Sequence, residues 1–474
     1  MNTAPLVVDL DGTLIRSDLL VESGFAFLKQ NPLKVFNTIK WILSGKAKLK
    51  KELAQRVSLD VTTLPYVQEV IEFIIQERHK GRKIVLATAS HMIYARQIAD
   101  HLKLFDEVIA TEEEINLTST RKAERLISLY GKAGFDYAGN SMDDLAVWSC
   151  SRKAIVVNPE RGVLDKARKI GNVDQIIDPK KTFIKTLFKA LRIHQWAKNA
   201  LIFVPLLASH QLLQLDKIAD GLLAFITFGL CASSVYLLND LLDVQDDRHH
   251  QTKCNRPFAS GTLSIKTGVI LFPFLLISSF VGAYFWLPVN FLFALIIYYA
   301  LTVLYSFSLK RMVIIDVIVL ALLYTMRMIA GTFALEVELT FWMLAFSMFI
   351  FLSLALVKRY TELSEARSAG NPEKARGRGY YPDDLEMISS LGAAAGYISV
   401  MVLALYIQDE ATISLYKQPQ FIWLACPILL FWISRIWLLA HRGQMHDDPV
   451  VFAIKDKVSI VVGLLFGLIF WLAV

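Results

Sequence analysis

Cysteines are few in this sequence, and those present show no pattern. Cys150, Cys231, Cys254 and Cys426 lack the paired or short spacings of disulfide frameworks and zinc sites. A secretory leader is also missing at the start, where Met1–Pro5 is followed by a short apolar run and then by acidic residues. We therefore expect reduced thiols and a first domain that stays in the cytoplasm.

Charged residues are sparse too, at 20% of the chain, while hydrophobic residues make up 54%. This proportion is too high for a soluble enzyme of ordinary composition, so part of the chain must face lipid. The first ~190 residues are mixed in character, and the rest forms apolar runs of roughly 17 to 23 residues, long enough to cross a bilayer as helices. We predict a soluble domain at 1–182, a basic amphipathic connector at 183–198 and an all-α bundle of nine transmembrane helices at 199–474.

Lys and Arg are distributed unevenly between the predicted helices. Every second connection is rich in them, whereas the connections between hold only Lys217 and Lys417. By the positive-inside tendency, the basic loops and the soluble domain share the cytoplasmic side of the plasma (inner) membrane, and nine helices would put Val474 on the far side. This topology and anionic lipid headgroups account for the net charge of +7, so we expect no nucleic-acid partner.

An acidic stripe ends the second predicted membrane helix. Asn239, Asp243 and Asp247 are spaced by four residues, which places them along one helix face over about 12 Å. Oxygen ligands aligned in this way would repel one another unless Mg²⁺ bridged them to a diphosphate. Ionisable groups near a bilayer are costly and usually functional, so the stripe predicts a site for a Mg²⁺-bound diphosphate.

The NxxxDxxxD pattern of this stripe resembles the first metal-diphosphate motif of the UbiA-type prenyltransferase superfamily, over residues ~190 to 474. That superfamily usually carries a second aspartate-rich motif after its sixth helix, but the loop here is basic and contains no DxxxD. Together with "RIHQWAKN", "DRHHQTKCNRP", "YSFSLK", "KRYTEL" and "DDPVVFAIKD", the loop resembles the branch that makes polyprenyl-phosphate phosphoribose.

The resemblance to this branch implies phosphoribosyl diphosphate as donor and a polyprenyl phosphate of the cell-wall type as acceptor. Mg²⁺ on the leaving diphosphate would be held by the acidic stripe, and cations would bind the remaining phosphates. We expect Tyr305 to orient the ribose, and the candidates for phosphate binding are Lys198, Lys253, Arg256, Lys310, Lys358 and Arg359.

Two other functions remain open from the sequence. A conventional prenyltransferase would move an isoprenyl chain from prenyl diphosphate to an aromatic or other acceptor, and the missing second motif disfavours it. A lipid transporter or scaffold with a tethered phosphatase belongs to another class, and acids aligned at a helix mouth disfavour it.

The soluble part reads as strands alternating with helices. "PLVVDLDGT", "KIVLATAS" and "FDYAGNS" are strand-like runs that end in polar residues, with helical stretches between them. Alternation of this kind predicts an α/β Rossmann-like domain whose parallel sheet carries its site at the carboxyl ends of the strands. Residues ~17 to 78, including the basic "GKAKLKK" at 45–51, form a helical insertion that we interpret as a small cap.

These motifs resemble those of the haloacid dehalogenase superfamily of phosphatases, over residues ~4 to 180. The resemblance implies that Asp9 is the nucleophile and Asp11 the general acid and base, that Thr88 and Lys122 hold the phosphoryl group, and that Asp144 joins Asp9 and Asp11 in binding Mg²⁺. Asn140 stands where many relatives have an acidic residue, which leaves one Mg²⁺ ligand without charge. Fusion of the two parts leads us to expect that the phosphatase removes the terminal sugar phosphate from the lipid-linked product.

Overall fold

The computed structural model describes residues 4–112, 116–178, 183–209, 211, 214–250, 252–368, 379–409, 416–445 and 448–473. They fall into two compact units. The first contains Met1–Leu191 and Tyr236–Pro273, and the second contains Arg192–Val235 and Phe274–Val474. A stretch of the predicted membrane half therefore folds with the amino-terminal domain.

A parallel sheet of six strands organises the first unit. Its order is β3-β2-β1-β4-β5-β6, and the strands are β1 (Leu6–Val8), β2 (Ile84–His91), β3 (Glu107–Thr111), β4 (Asp136–Gly139), β5 (Lys153–Val157) and β6 (Val173–Ile177). Leu6 and Val8 pack into one apolar cluster and Val7 into another, so both faces of β1 are buried. The order reverses between β1 and β4, and ligands of such sheets bind at this point, outside the carboxyl ends of the strands. The Rossmann-like α/β prediction is confirmed.

Helices surround this sheet, and several belong to the insertion between β1 and β2. The insertion contains α1 (Leu19–Gln30), α2 (Val35–Leu43), α3 (Lys46–Ala54) and α4 (Gln68–His79). After β2 the chain forms α5 (Met92–Leu102), α6 (Ser119–Tyr130), α7 (Leu145–Trp148), α8 (Val163–Ile170) and α9 (Phe183–Ala190). The insertion is thus helical, as the sequence predicts.

The remaining helices are mostly long and apolar. They are α10 (Val204–Ala208), α11 (Leu215–Leu242), α12 (Val244–His249), α13 (Ile265–Trp286), α14 (Val289–Phe307), α15 (Ile315–Leu335), α16 (Phe341–Ser368), α17 (Leu385–Gln408), α18 (Ala425–His441), α19 (Pro449–Lys455) and α20 (Lys457–Ala473). Among the described residues, seven helical segments are long and apolar enough to cross a membrane, and α19 with α20, bent by 82°, would make an eighth.

Nine transmembrane helices are therefore not confirmed. The first predicted segment, near Val204, is a 3₁₀ helix at Ile193–Phe203 followed by the short α10, in which Pro205 occupies the first turn. Five α-helical residues rise only about 7.5 Å, too little to cross ~30 Å of hydrocarbon. The far-side position of residue 474 depended on nine helices, and that residue lies outside the described ranges.

A close helix contact holds the 3₁₀ segment in the second unit. A Cβ atom at Gly331 of α15 would lie 2.2 Å from the carbonyl oxygen of Ile202, so only glycine allows this approach. The contact places Lys198 and Asn199 beside α15, where both are buried.

Candidate active sites

The first site lies at the carboxyl end of β1. Asp9 follows the strand directly, and its backbone N–H donates to the Ala138 carbonyl at 2.9 Å. Asp11 accepts hydrogen bonds from the Leu19 N–H at 2.8 Å and from the Ser90 hydroxyl at 2.6 Å. Thr88, fully buried on β2, accepts from the Ser90 N–H at 3.0 Å. Three of the predicted catalytic residues thus meet at the strand ends.

Lys122 reaches this site from α6. Its ammonium lies 2.8 Å from Asp9 Oδ1 and 2.9 Å from the Tyr137 hydroxyl. Burial alone would lower the pKa of Lys122, but the Asp9 and Asp144 carboxylates outweigh burial and raise it. A lysine that stays charged here can screen the approach of an anionic phosphate to Asp9.

Burial also changes the acidity of the two aspartates. It raises the pKa of Asp9 to about 7, although Lys122 opposes it, and it raises the pKa of Asp11 to about 6, with the Asp18 charge adding to the effect. Burial thus makes both carboxylates costly to ionise in the absence of a bound cation. Carboxylates crowded in this way fit a divalent cation bound by oxygen ligands.

The Asp144 carboxylate accepts several hydrogen bonds from neighbouring residues. It accepts from Tyr137 Oη at 2.8 Å, and from the N–H groups of Asn140 and Ser141 and the Ser141 hydroxyl at 3.0, 2.9 and 2.9 Å. These contacts orient Tyr137 and the loop after β4. The role of Asp144 as a Mg²⁺ ligand stays a prediction. The Asn140 amide lies against the Asp9–Thr13 loop, since a Cβ atom at Gly12 would come within 2.2 Å of its Nδ2.

Lys50 is a site residue that the sequence did not single out. It reaches from α3 and donates to the Ala89 carbonyl at 2.6 Å and to Asn116 Oδ1 at 2.8 Å. Burial lowers the pKa of Lys50, although the nearby charges of Asp11 and Asp18 oppose this. The basic run at 45–51 was the available signal, but spacing alone does not show which of its lysines turns inward.

The acidic stripe also belongs to the first unit. The Asp243 N–H donates to the Asn239 carbonyl at 2.9 Å, and the Asp247 N–H donates to the Asp243 carbonyl at 2.8 Å. The three residues therefore follow one another by one helical turn.

Lysine and arginine side chains form ion pairs with the stripe and with two carboxylates next to it. Lys29 of α1 lies 2.5 Å from Asp243 and 2.6 Å from Asp246, while Arg256 lies 2.7 Å from Asp247 and 3.2 Å from Asp240. Burial raises the pKa of Asp247 to about 6 against the opposing charge of Arg256. The spacing of the stripe does not predict Lys29 or Asp240, because Lys29 pairs with residues more than 200 positions away and Asp240 pairs with Arg256 across a loop.

A cationic cluster lies in the second unit. Asp448 Oδ2 is 2.8 Å from the Lys198 ammonium and 3.2 Å from that of Lys358, and its two oxygens accept from the Tyr324 hydroxyl at 3.0 and 3.1 Å. Burial alone would raise the pKa of Asp448, but Lys358 and Lys198 hold it well below its usual range. Two predicted phosphate ligands are thus brought together around one carboxylate.

Arg327 and Asn199 extend this cluster. Arg327 Nε donates to Asn199 Oδ1 at 3.1 Å, and the guanidinium lies 5.6 Å from the centre of the Tyr324 ring. Asn199 is 1% exposed, and within the described part of the chain its Nδ2 has no hydrogen-bond partner. A buried donor of this kind, beside an arginine, has the chemistry to bind an anionic oxygen.

The other predicted ligands lie elsewhere. Arg359 is buried 2.7 Å from Asp316, which also accepts from the Tyr380 hydroxyl at 2.6 Å. Tyr305 and Lys310 are half-buried near the end of α14, and Lys253 is exposed in the 3₁₀ turn Lys253–Asn255. Among the described residues no three His, Cys, Asp or Glu side chains are placed to hold a metal ion. The roles of these residues stay predictions.

Several helical segments long and apolar enough to cross a membrane, with an acidic stripe at the end of one of them, are features of an integral membrane protein. The chain belongs to the UbiA prenyltransferase family, whose model matches residues 201–455. This confirms the recognition made from the NxxxDxxxD pattern.

Three relatives extend the comparison. The chain is 36% identical to the uncharacterized protein y4nM of Sinorhizobium fredii, over 99% of this chain and 91% of that protein. It is 39% identical to the nodulation protein NoeC of Azorhizobium caulinodans, over 60% of this chain and 92% of NoeC. It is 31% identical to decaprenyl-phosphate phosphoribosyltransferase of Mycolicibacterium smegmatis, over 59% of this chain and 89% of that enzyme.

Two solved structures are similar to parts of the chain. A UbiA homolog from Archaeoglobus fulgidus, bound to DMAPP and Mg²⁺, matches with a TM-score of 0.46 and 15% identity over 60% of this chain and 98% of that one. A substrate-bound phosphoserine phosphatase matches with a TM-score of 0.28 and 15% identity over 40% of this chain and 98% of that one.

Proposed function

We propose that the membrane part transfers a 5-phosphoribosyl group from phosphoribosyl diphosphate to a polyprenyl phosphate. The observation that carries this proposal is the pairing of Lys198 and Lys358 with Asp448, in a cluster that the buried residues Arg327 and Asn199 extend. Such a cluster suits phosphate groups, whereas the loop after α16 lacks the second acidic motif of a prenyl diphosphate site. The relative in Mycolicibacterium smegmatis, named decaprenyl-phosphate phosphoribosyltransferase, supports the same transferred group and the same class of acceptor.

In this reaction an oxygen of the lipid phosphate attacks the anomeric carbon as the bond to the diphosphate breaks. The attacking oxygen is already ionised, so the reaction needs no strong general base. Asn239, Asp243 and Asp247 have the oxygen donors that Mg²⁺ prefers, and the ion would neutralise the departing diphosphate. Mg²⁺ would bind Asp243 only after Lys29 had moved away from that carboxylate. Positioning and neutralisation of charge supply most of the rate.

We further propose that the amino-terminal domain is a phosphatase of the haloacid dehalogenase type. The Asp9 carboxylate attacks phosphorus while Lys122, at 2.8 Å, screens the repulsion. Asp11, with its pKa raised to about 6, can protonate the leaving sugar oxygen and then take a proton from the water that hydrolyses the aspartyl-phosphate. Mg²⁺ held by Asp9, Asp11 and Asp144, with the Asn140 amide as a further oxygen donor, would supply further neutralisation. Removal of the terminal sugar phosphate would make the transfer irreversible.

The orientation of the chain is part of the proposal. The basic loops favour a plasma-membrane protein with its amino-terminal domain and acidic stripe on the cytoplasmic side, where phosphoribosyl diphosphate is available.

A labelling experiment tests the transferase. Membranes containing the protein are supplied with polyprenyl phosphate, Mg²⁺ and either labelled phosphoribosyl diphosphate or labelled prenyl diphosphate. We expect only the first label to enter lipid, and we expect Asp243→Asn to abolish this incorporation while Asp9→Asn preserves it. Entry of the prenyl label alone would establish a conventional prenyltransferase, and entry of neither would favour a transporter or scaffold.

A second experiment tests the phosphatase. Purified protein receives synthetic polyprenyl-phosphoribose-phosphate, and inorganic phosphate is measured. We expect release from the wild type and loss of release in Asp9→Asn. An active transferase that releases no phosphate would contradict the proposal.

A further inference from the structure

One lysine of the candidate phosphatase site comes from the start of a membrane-spanning helix. Lys266 is the second residue of α13, and its ammonium lies 3.4 Å from Asp18 Oδ2 and 3.9 Å from Glu160 Oε1. Asp18 caps α1, and the next residue, Leu19, donates its N–H to Asp11. Lys266 therefore stands at the mouth of the site, on the Asp11 side.

The loop before Lys266 is fitted closely to the phosphatase domain. Gly261 has a φ of +66°, and a Cβ atom there would lie 2.5 Å from the Cβ of Arg16. Arg248, before this loop, forms a buried pair with Glu22, with Nη1 to Oε2 at 3.0 Å. Close packing and a buried ion pair fix the position of Lys266, so it does not lie near the site by chance.

The contacts of Lys266 leave it available to a ligand. Its side chain is 56% exposed, and both of its ion pairs are longer than the 2.8 Å between Lys122 and Asp9. Lys50 is also close enough to Asp11 and Asp18 for their charges to act on it. The site thus has one cation paired with the nucleophile and two further cations near Asp18.

We propose that Lys266, assisted by Lys50, is a specificity-determining residue that binds a second anionic group of a membrane-anchored phosphomonoester. The proposal rests on the phosphatase function proposed above and names its substrate class. The phosphomonoester is cleaved between Asp9 and Lys122, and the phosphodiester that joins the sugar to the lipid is held by Lys266. A soluble phosphomonoester with a single phosphate uses only the first of these contacts.

The position of Lys266 explains why the substrate carries a lipid. A residue at the end of a bilayer-crossing helix lies at the level of the lipid headgroups. A polyprenyl chain can therefore remain in the membrane while its phosphorylated head reaches the site.

The test compares two substrates in the full-length protein, reconstituted in nanodiscs. Phosphate release is measured from polyprenyl-phosphoribose-phosphate and from p-nitrophenyl phosphate, for the wild type, Lys266→Ala and Lys153→Ala. Lys153 is an exposed lysine paired with Asp174 on the sheet, and it serves as the matched control. We expect Lys266→Ala to lower the ratio of kcat/KM for lipid substrate to that for soluble substrate about tenfold, mainly through KM. An unchanged ratio would overturn the inference.

A second measurement separates this inference from the proposed function. Polyprenyl-phosphoribose, which has the phosphodiester but no terminal phosphate, is added as an inhibitor of p-nitrophenyl phosphate hydrolysis, with phosphatidylglycerol vesicles in a parallel arm. We expect polyprenyl-phosphoribose to inhibit the wild type and to inhibit Lys266→Ala about tenfold less well. Such a result supports the anion subsite even if the wild type does not cleave the phosphorylated ribose substrate, an outcome that would contradict only the proposed function. Equal inhibition by phosphatidylglycerol would overturn the commitment to a polyprenyl-linked substrate.

Discussion

A single amide distinguishes the candidate phosphatase site from one with a full set of acidic ligands. Asn140 lies against the loop of Asp9 and Asp11 and accepts from the Thr13 hydroxyl at 3.4 Å. An amide oxygen can bind Mg²⁺ but adds no charge, so its contribution to affinity is smaller than that of a carboxylate.

We predict that Asn140→Asp strengthens Mg²⁺ binding. The Mg²⁺ concentration for half-maximal phosphate release should fall about tenfold, because a further carboxylate joins those predicted to bind the ion. A Mg²⁺ titration of p-nitrophenyl phosphate hydrolysis measures this, and Asn140→Ala should shift the titration in the opposite direction. No change in either variant would show that Asn140 does not contact the metal.

The carboxylate of Asp136 makes the stability of the sheet depend on pH. Asp136, the first residue of β4, pairs with Arg152 at 2.8 Å and with Arg82. Burial alone would raise the pKa of Asp136, but the two guanidinium groups outweigh burial and lower it. Since the folded pKa lies below the unfolded value of about 4, the pair stabilises the domain above that pH, and this stabilisation is lost as the pH falls.

The corresponding prediction concerns Asp136→Asn. Removing one partner of a buried ion pair should cost about 3 kcal/mol at neutral pH, and the loss of stability on acidification should become smaller. Hydrogen-exchange protection of β4, corrected for intrinsic rates, measures both effects in the full chain. Asp174→Asn, at an exposed pair with Lys153, is the control and should change protection little.

At the scale of elements, α1 of the insertion contacts α12 at the acidic stripe. Lys29 lies between Asp243 and Asp246, and its ammonium neutralises carboxylate charge that a bound metal ion would otherwise neutralise. Any cation that binds Asp243 must compete with this lysine.

We predict that Lys29→Ala improves Mg²⁺ binding at the stripe. The Mg²⁺ concentration for half-maximal phosphoribosyl transfer should fall roughly threefold to tenfold, and Mg²⁺ should raise the Tm of the variant more than that of the wild type. Lys34→Ala, an exposed lysine in the turn after α1, should leave both measurements unchanged. Weaker Mg²⁺ binding in Lys29→Ala would show instead that Lys29 helps to form the site.

The elements also show which features follow from sequence. β1, β2 and β4 and the polar residues after them are local patterns, so the Rossmann-like sheet and its site edge could be predicted. Hydropathy counts apolar residues without regard to backbone form, and for that reason it predicts a transmembrane helix where the structure has a 3₁₀ segment before Pro205. The pairs Lys29–Asp243 and Glu22–Arg248 join residues more than 200 positions apart, and no spacing rule reveals such contacts.

At the scale of the whole molecule, fusion has made one folding unit from two stretches of chain. Tyr236–Pro273 belongs by sequence to the membrane half and folds with Met1–Leu191. Arg248, whose side chain is 3% exposed, has Glu22 as its carboxylate partner, and Gly261 packs on Arg16. The stretch that carries the acidic stripe therefore depends on the amino-terminal domain for its packing.

This dependence predicts that a chain beginning at residue 183 is damaged in its transferase as well as in its phosphatase. Without the amino-terminal domain, Arg248 loses its partner Glu22 and Gly261 loses its packing on Arg16, so the Tm should fall by on the order of 10 °C. Phosphoribosyl transfer should fall with it. Full-length Asp9→Asn is the control, because it removes phosphatase chemistry and keeps the packing.

Glu22→Gln should reproduce part of the loss, and Glu22→Leu combined with Arg248→Met should restore much of the Tm, since an apolar pair leaves no charge buried alone. Full stability and transfer in the truncated chain would mean that the stripe folds without the phosphatase domain.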